Sequence, residues 1–321
     1  MGYRLAGIDV VAAVEIDARM ADCYEANLGE GKVVRLPVGE VAQWDADRLA
    51  QRFGVVDILD GSPPCSVFSL SGDRQKKWGA EFHFAEGQAK QRLDLLFFDF
   101  IALAKALRPR VVVGENVVGL LNGKARGFVV EIVAAFSDAG YDTQAFVLDA
   151  AAMGVPQRRR RVFFIARRRD LDMASIALDF DEPPIASQDA LSGCVCLPDE
   201  KLHWLTPRFQ DLWSRTRLGG NFGDGYIGSR KGSYIGRRSC FNIFRLDSAK
   251  PANTVTTTHI AHWSEPRFLH SREICRLQTF PDDYAFGALR AQYGAGMSVP
   301  PQMSRRLGLA LADWLDAAPQ T

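Results

Sequence analysis

Four groups of residues in this 321-residue chain are of types that could do chemistry together. The first is Cys65 in "DILDGSPPCSVFSLSG", residues 57 to 72, where the thiol follows Gly61, Ser62, Pro63 and Pro64 at the end of an apolar run. Two prolines fix φ and withhold backbone donors, so the residue behind them is held in one pose, as a nucleophile requires. A single cysteine in a turn is more commonly a small hydrophobe, and the turn alone does not separate the two roles. The second group is Glu115 with Asn116 in "VVVGENV", where a strand would bury the carboxyl. A buried carboxyl titrates higher than usual and can act as an acid near neutral pH. The third is "GVPQRRRRVFFIA", four arginines running into an apolar strand. Period-two alternation sends Arg159 and Arg161 to one face and Arg158 and Arg160 to the other, so at least one pair must find partners. The guanidinium fork suits phosphate and planar acceptors, and a solvated basic edge strand fits the run as well. The fourth is Glu15, ending the first apolar run beside Asp17. An acid there accepts hydrogen bonds from ribose hydroxyls, and a helix-capping acid would look the same.

The elements that must position these groups alternate along the first half. Short β-branched runs ("DVVAAVEID", "KVVRLP", "VVDILDG", "RVVVGENV") are each followed by a helical pattern ("ARMADCYEANL", "VAQWDADRLAQRF", "RLDLLFFDFIALAKAL", "GFVVEIVAAFSDAG"). Near-continuous apolar strands between amphipathic helices indicate an α/β class, a doubly wound parallel sheet covered on both faces. Ligands bind such sheets outside the carboxyl ends of the strands, where Glu15, Cys65 and Glu115 all fall. Two more strand-like runs, "TQAFVLDA" and "RVFFIARR", close this half. Beyond about residue 170 the rhythm stops, and Gly, Pro, Ser and Arg dominate as far as residue 260, which predicts a second, smaller and irregular domain. The helical tail "MSRRLGLALADWLDAA" returns to the first. The expected division is a catalytic domain over 1-170, completed by 285-321, and a recognition domain over 171-284.

Bulk composition narrows the function classes. A chain that is 47% hydrophobic with net charge +1 can bury a full core, and no apolar window reaches the length of a membrane span. No secretory signal opens it, so a cytoplasmic location and reduced thiols are the expectation for its six cysteines. Cys194 and Cys196 form a C-x-C without histidines at zinc-finger spacing, and no metal is expected there. Charge is uneven: residues 201 to 250 hold ten Lys and Arg against three Asp, and residues 1 to 60 hold eleven acids against six bases. One basic face offered to a polyanion accounts for this split, as does a solvated basic surface without a ligand.

Taken in order, "GSPPCSVFS", "GENVVGL", "VPQRRRRVFFIA", "RFLHSREICRLQTFPDDYAF" and "GAGMSVPP" resemble the motifs of the cytosine carbon-5 DNA methyltransferase family of prokaryotic and phage type. "RLDSAKPANTVTT" is similar to the element that ends the family's target-recognition region. The resemblance implies a Rossmann-like fold dependent on S-adenosylmethionine, a flipped cytosine in duplex DNA, and Cys65 as the nucleophile that adds to carbon 6. It assigns Glu115 to ring nitrogen 3 and the exocyclic amine, Asn116 to loop orientation, and Arg161, with Arg159 in support, to the ring oxygen. It assigns Glu15, Ile16, Glu40, Pro63, Leu96 and Ser298 to the cofactor. Ser69, Arg74, Gln157, Arg230, Lys231, Arg237 and Arg238 fall to DNA, with "SLSGDRQKKWGAEFHFAEGQ" as the loop that closes over it.

The sequence also departs from that pattern. The glycine-rich F-x-G-x-G-G segment that cradles the cofactor's methionine end has no counterpart in the sequence: either the start is misassigned or trimmed, or half of the cradle is lacking, and only in the second case is weak or absent S-adenosylmethionine binding expected. Glu40 stands where aspartate is usual, Ser66 where glutamine is common, and Met297 where asparagine is. A tRNA-directed relative and an inactive DNA-binding paralogue remain as alternatives; the basic insert favours DNA over tRNA, and intact Cys65, Glu115 and Arg161 favour activity. A monomer is expected, with a cognate restriction endonuclease encoded nearby as a possible companion.

Overall fold

The computed structural model of the protein describes residues 1–63, 95–196, 200–223 and 243–317. Its first half runs α1 (Gly2–Leu5), β1 (Ala13–Val14), α2 (Ala18–Leu28), β2 (Val33–Val34), α3 (Val38–Val41), α4 (Ala46–Phe53), β3 (Ile58–Gly61), α5 (Leu96–Leu107), β4 (Val111–Val117), α6 (Arg126–Asp138), β5 (Tyr141–Asp149) and β6 (Arg160–Arg168). There follow α7 (Ser187–Ala190), α8 (Pro207–Arg215), β7 (Phe244–Arg245), β8 (Ile260–Ala261), α9 (Ser271–Leu277), α10 (Ala291–Met297) and α11 (Pro301–Asp316). The chain divides into two compact units: an α/β unit of residues 10–148, 160–178 and 310–321, and an irregular unit of residues 1–9, 149–159 and 179–309.

In the α/β unit, β1 pairs with β2 and β3 with β4, both parallel, as the strand–helix rhythm predicts. The main sheet has the order β3-β4-β6-β5, and β6 runs antiparallel to β4, which an all-parallel sheet would not contain. Only residues 150–159 separate β5 from β6, too few for the helical crossover that a parallel return needs. Asp17 starts α2 by accepting from the backbone N–H groups of Arg19 and Met20 at 2.8 and 3.2 Å, the usual task of an N-cap acid.

Helix α5 is the centre of this unit. Its Phe97, Phe100, Ile101 and Ala104 pack on Val112, Val162 and Phe164 of the sheet and on Phe128, Ile132 and Phe136 of α6. Leu103 packs instead with Val34, Val41, Leu49 and Phe53. The close approach rests on two glycines that are register partners, Gly61 of β3 and Gly114 of β4. A Cβ at Gly61 would lie 2.5 Å from the Phe100 ring, and one at Gly114 would lie 2.9 Å from Phe97. Phe97 cannot swing away, because it meets Phe100, Phe136 and Phe164 edge to face at centroid distances of 6.1, 6.3 and 5.7 Å.

Among its described residues the irregular unit has one named strand pair, the two-residue parallel β7 with β8, and it takes its core from Leu246, Val255, Ile260, Ile274, Leu277 and their neighbours. Its first nine residues fold as α1 against the start of α11, where Arg305 Nε donates to the Leu5 carbonyl at 3.3 Å. Among the described residues no helix is long and apolar enough to cross a membrane.

Overpacking the α5 contact tests this architecture. Gly61→Ala is expected to lower unfolding free energy by about 1–3 kcal/mol, measured as a shift of the urea midpoint. Gly127→Ala, in α6 with nothing within 4 Å of the added methyl, is expected to raise it by about 0.5–1 kcal/mol.

Candidate active site

The antiparallel register of β4 on β6 sets Glu115 opposite Phe163 and Val117 opposite Arg161. Opposed residues share a face, and so do residues two apart on one strand, which makes Glu115 and Arg161 diagonal neighbours. They form an ion pair, Arg161 Nε to Glu115 Oε1 at 2.9 Å, with side chains only 15% and 10% exposed. Burial pulls the Arg161 guanidinium below its ordinary range, and the charge of Glu115 and its hydrogen bond oppose that shift. Arg161 also donates through Nη1 to the Arg160 carbonyl at 2.8 Å, which restricts the guanidinium further.

Asn116 points to the other face and is buried. Its Nδ2 donates to the Pro63 carbonyl at 3.0 Å, and its Oδ1 accepts from the Val117 N–H at 2.9 Å. One amide therefore ties the end of β4 to the segment that leads into Cys65, two residues further on. Cys65 itself, with Ser69, Arg74, Arg230, Lys231, Arg237 and Arg238, lies outside the described residues.

The cofactor candidates of the α/β unit sit at strand ends and at one helix start. Glu15 follows β1, its N–H bonded to the Val34 carbonyl at 3.0 Å, and its Oε1 accepts from the Asp17 N–H at 2.8 Å. Since Asp17 caps α2, Glu15 is not the capping acid. Burial pushes its carboxyl above the usual range, against the backbone N–H groups of Asp17 and Ile16. Ile16, Pro63 and Leu96 are half-buried and Glu40 is exposed. Glu40 and Leu96 lie on α3 and α5, which pack together with Gly39 over the Asp99 carboxyl; a Cβ on Gly39 would be 3.1 Å from it.

Gln157 and Arg159 belong to the irregular unit and are both buried. Gln157 donates to the Leu277 carbonyl at 3.2 Å and to Gln278 Oε1 at 2.8 Å, and accepts from the Val255 N–H at 2.8 Å. Arg159 donates to the carbonyls of Val255 and Gly296 at 2.8 and 3.1 Å. Ser298, in the same unit, caps the end of α10 and donates to the Gly294 carbonyl at 2.6 Å.

The family model for C-5 cytosine-specific DNA methylases matches residues 1–312. The chain belongs to that family. The type II methyltransferase M.Eco47II of Escherichia coli is 30% identical over 98% of this chain and 76% of its own length. M1.HphI of Haemophilus parahaemolyticus is 28% identical over 97% of this chain and 82% of its own. The crystal structure of an E. coli prophage-encoded DNA modification methyltransferase matches at a TM-score of 0.70 and 23% identity, covering 98% of this chain and 95% of that one. The fold is thus the Rossmann-like one of these enzymes, and the protein is a DNA (cytosine-5-)-methyltransferase.

Within this methyltransferase the fold brings Glu115 to Arg161 and Asn116 to Pro63. It does not leave Gln157 available to DNA: the side chain is 0% exposed and its amide is engaged at both ends, so the contact predicted for it is corrected to a structural one. Arg159 does not share the surroundings of Arg161, because β6 begins at Arg160 and strand alternation does not extend back to residue 159. Sequence reasoning missed Gly61 and Gly114, whose only signal was a glycine closing each apolar run. It also missed Gln278, 0% exposed, whose position in "CRLQTF" says nothing of its partners.

Arg161→Ala leaves a carboxylate unpaired in a mostly buried place. It is expected to cost up to about 3 kcal/mol of stability and to abolish methyl transfer, while Arg161→Lys keeps the fold and loses most of the rate. Asn116→Ala is expected to cost about 1 kcal/mol and to lower kcat more than it raises KM, as read from urea titration and steady-state kinetics.

Proposed function

We propose that this enzyme methylates carbon 5 of a flipped cytosine within a short duplex-DNA sequence, with Cys65 as nucleophile and S-adenosylmethionine as donor. The observation that carries this reading is the Glu115–Arg161 pair at the end of β4, beside the Asn116 tie to the segment entering Cys65. In this mechanism the Cys65 thiolate bonds to carbon 6 while Glu115 delivers a proton to ring nitrogen 3, so that electron density moves to carbon 5 rather than resting on the ring. Arg161 holds the ring oxygen and keeps Glu115 in place before substrate arrives, which is preorganised electrostatic catalysis. Once carbon 5 has taken up a methyl group, loss of its proton to a base restores the 5,6 double bond and expels the thiolate, and the nitrogen-3 proton returns to Glu115.

When bound, S-adenosylmethionine supplies an electrophilic methyl group. The residues present suit its adenosine end: a part-buried carboxylate, Glu15, for ribose hydroxyls, and the apolar Ile16, Pro63 and Leu96 for the ring faces, with Glu40 near the amine. Ser298 serves the amino-acid end. We assign target reading to residues 171–284, including Arg230, Lys231, Arg237 and Arg238, with Ser69 and Arg74 on the strand beside the target. A monomer acting in the cytoplasm, alone or beside a cognate restriction endonuclease, completes the reading.

Bisulfite sequencing of host and plasmid DNA after expression tests it. Methylation is expected at one short sequence, and is lost in Cys65→Ser. Unmodified DNA with modified tRNA would overturn the substrate, and no modification of either would overturn the activity.

The cofactor assignment has a pH signature. Ribose hydroxyls donate to the ionised form of Glu15, whose pKa burial has raised, so affinity is full above that raised value and falls as pH drops through it. Glu15→Gln is expected to weaken S-adenosylmethionine binding about tenfold at pH 7 and to flatten its pH dependence, as measured by calorimetry.

A further inference from the structure

The proposed methyl transfer makes no use of Cys194 and Cys196, and Cys196 lies in a polar cluster within the irregular unit. One ligating atom each from Cys196, Glu200 and His270 lie within 4.8 Å of one another, the one such grouping among the described residues. Two features mark it as more than a chance meeting. His270 is 5% exposed, and its Nδ1 has no hydrogen-bond partner. Glu200 Oε1 accepts from the N–H and the hydroxyl of Ser271 at 2.7 and 2.8 Å, whereas its buried Oε2 has no partner. An imidazole nitrogen and a carboxylate oxygen, both lone-pair donors, are thus left unsatisfied beside a thiol, where buried polar atoms are ordinarily paired.

The surroundings are those of a ligand set. His270 Nε2 lies 3.6 Å from Glu273 Oε2, and Glu273 is fixed by two hydrogen bonds from Arg267 at 2.7 and 2.9 Å. The carboxylate charge, at a distance beyond hydrogen bonding, favours a cation bound at the opposite ring nitrogen. Cys196 Sγ donates to the Glu200 carbonyl at 3.4 Å, so the thiol is already turned to the same place. Sulfur, nitrogen and oxygen donors together suit Zn²⁺. Bonds of about 2.0–2.3 Å set tetrahedral ligands roughly 3.3–3.7 Å apart, which the cluster reaches by side-chain rotation.

We propose that Cys196, Glu200 and His270 form a Zn²⁺ site that ties Cys196 and Glu200 to the start of α9. Binding exchanges the Cys196 thiol proton, released to solvent, for a sulfur–metal bond. The expected role is structural, since α9 carries the "REICRLQ" motif whose end holds Gln157.

Cobalt substitution on the full chain tests this. After chelation, Co²⁺ is expected to bind at about one per chain with a thiolate charge-transfer band in the near ultraviolet, displaced by Zn²⁺. Cys196→Ser is expected to remove the band and Glu200→Gln to weaken Zn²⁺ at least about tenfold, while Cys194→Ser and Cys65→Ser keep both. Zn²⁺ is expected to raise the Tm of the stripped chain by several degrees and that of Cys196→Ser not at all. Absence of the band, its survival in Cys196→Ser, or a Tm indifferent to Zn²⁺ overturns the proposal.

Discussion

The closeness with which α5 lies on the ends of β3 and β4 governs the catalytic rim. Two paired glycines, Gly61 and Gly114, leave a trough that the rings of Phe100 and Phe97 fill. Three of the residues assigned to chemistry in the α/β unit are a short step from this contact. Glu115 follows Gly114 directly, Pro63 is two residues beyond Gly61, and Leu96 precedes Phe97. A packed aromatic core is stiff, because volume changes of one methylene are felt there. The positions from which the chain leaves toward Cys65 and from which the Glu115 carboxylate projects are therefore set by the core.

The Glu115–Arg161 pair is expensive to maintain in such a place. Desolvating two charges costs several kcal/mol per ion, and an apolar pair of the same volume would hold the sheet at least as well. Stability alone gives no reason for ionic residues at the end of these strands. Orientation does: the pair holds a carboxylate in one pose with a guanidinium beside it, at the strand ends where α/β sheets place their ligands. Asn116 spends its amide in a comparable way, on a proline carbonyl and a neighbouring N–H.

The α/β class was legible because buried strands and amphipathic helices carry different periods, and α2 could be delimited to the residue because Asp17 caps its start and Gly29 follows its end. Strand direction was not legible, since an apolar run looks the same in either sense; only the shortness of residues 150–159 bore on the reversal of β6. Strand length was poorly legible too. The nine-residue run from Asp9 to Asp17 yields a two-residue strand, because its partner β2 is itself only two residues long. Glu115 and Asn116 were legible as polar residues inside an apolar strand. That Arg161, and not Arg159, meets Glu115 depends on where β6 begins, which four identical residues in a row cannot signal.

The arginine run thereby divides into two kinds of work. Arg161 stands on the sheet and serves a carboxylate, while Gln157 and Arg159 lie in a strap that saturates backbone groups of Val255, Leu277 and Gly296. Arg158 adds its N–H to the Ala252 carbonyl, and the Ala252 N–H returns a bond to Pro156. Gln278, in turn, donates to the Ala295 carbonyl. Gly296 is required by the same knot, since a Cβ there would lie 2.4 Å from the Thr256 backbone. Four motifs distant in sequence, "VPQRR", "PANTVTT", "CRLQ" and "GAGM", thus satisfy one another's buried polar groups. Glutamine at 157 and arginine at 159 suit this knot because each offers several donors or acceptors to backbone groups that no neighbouring strand would otherwise pair.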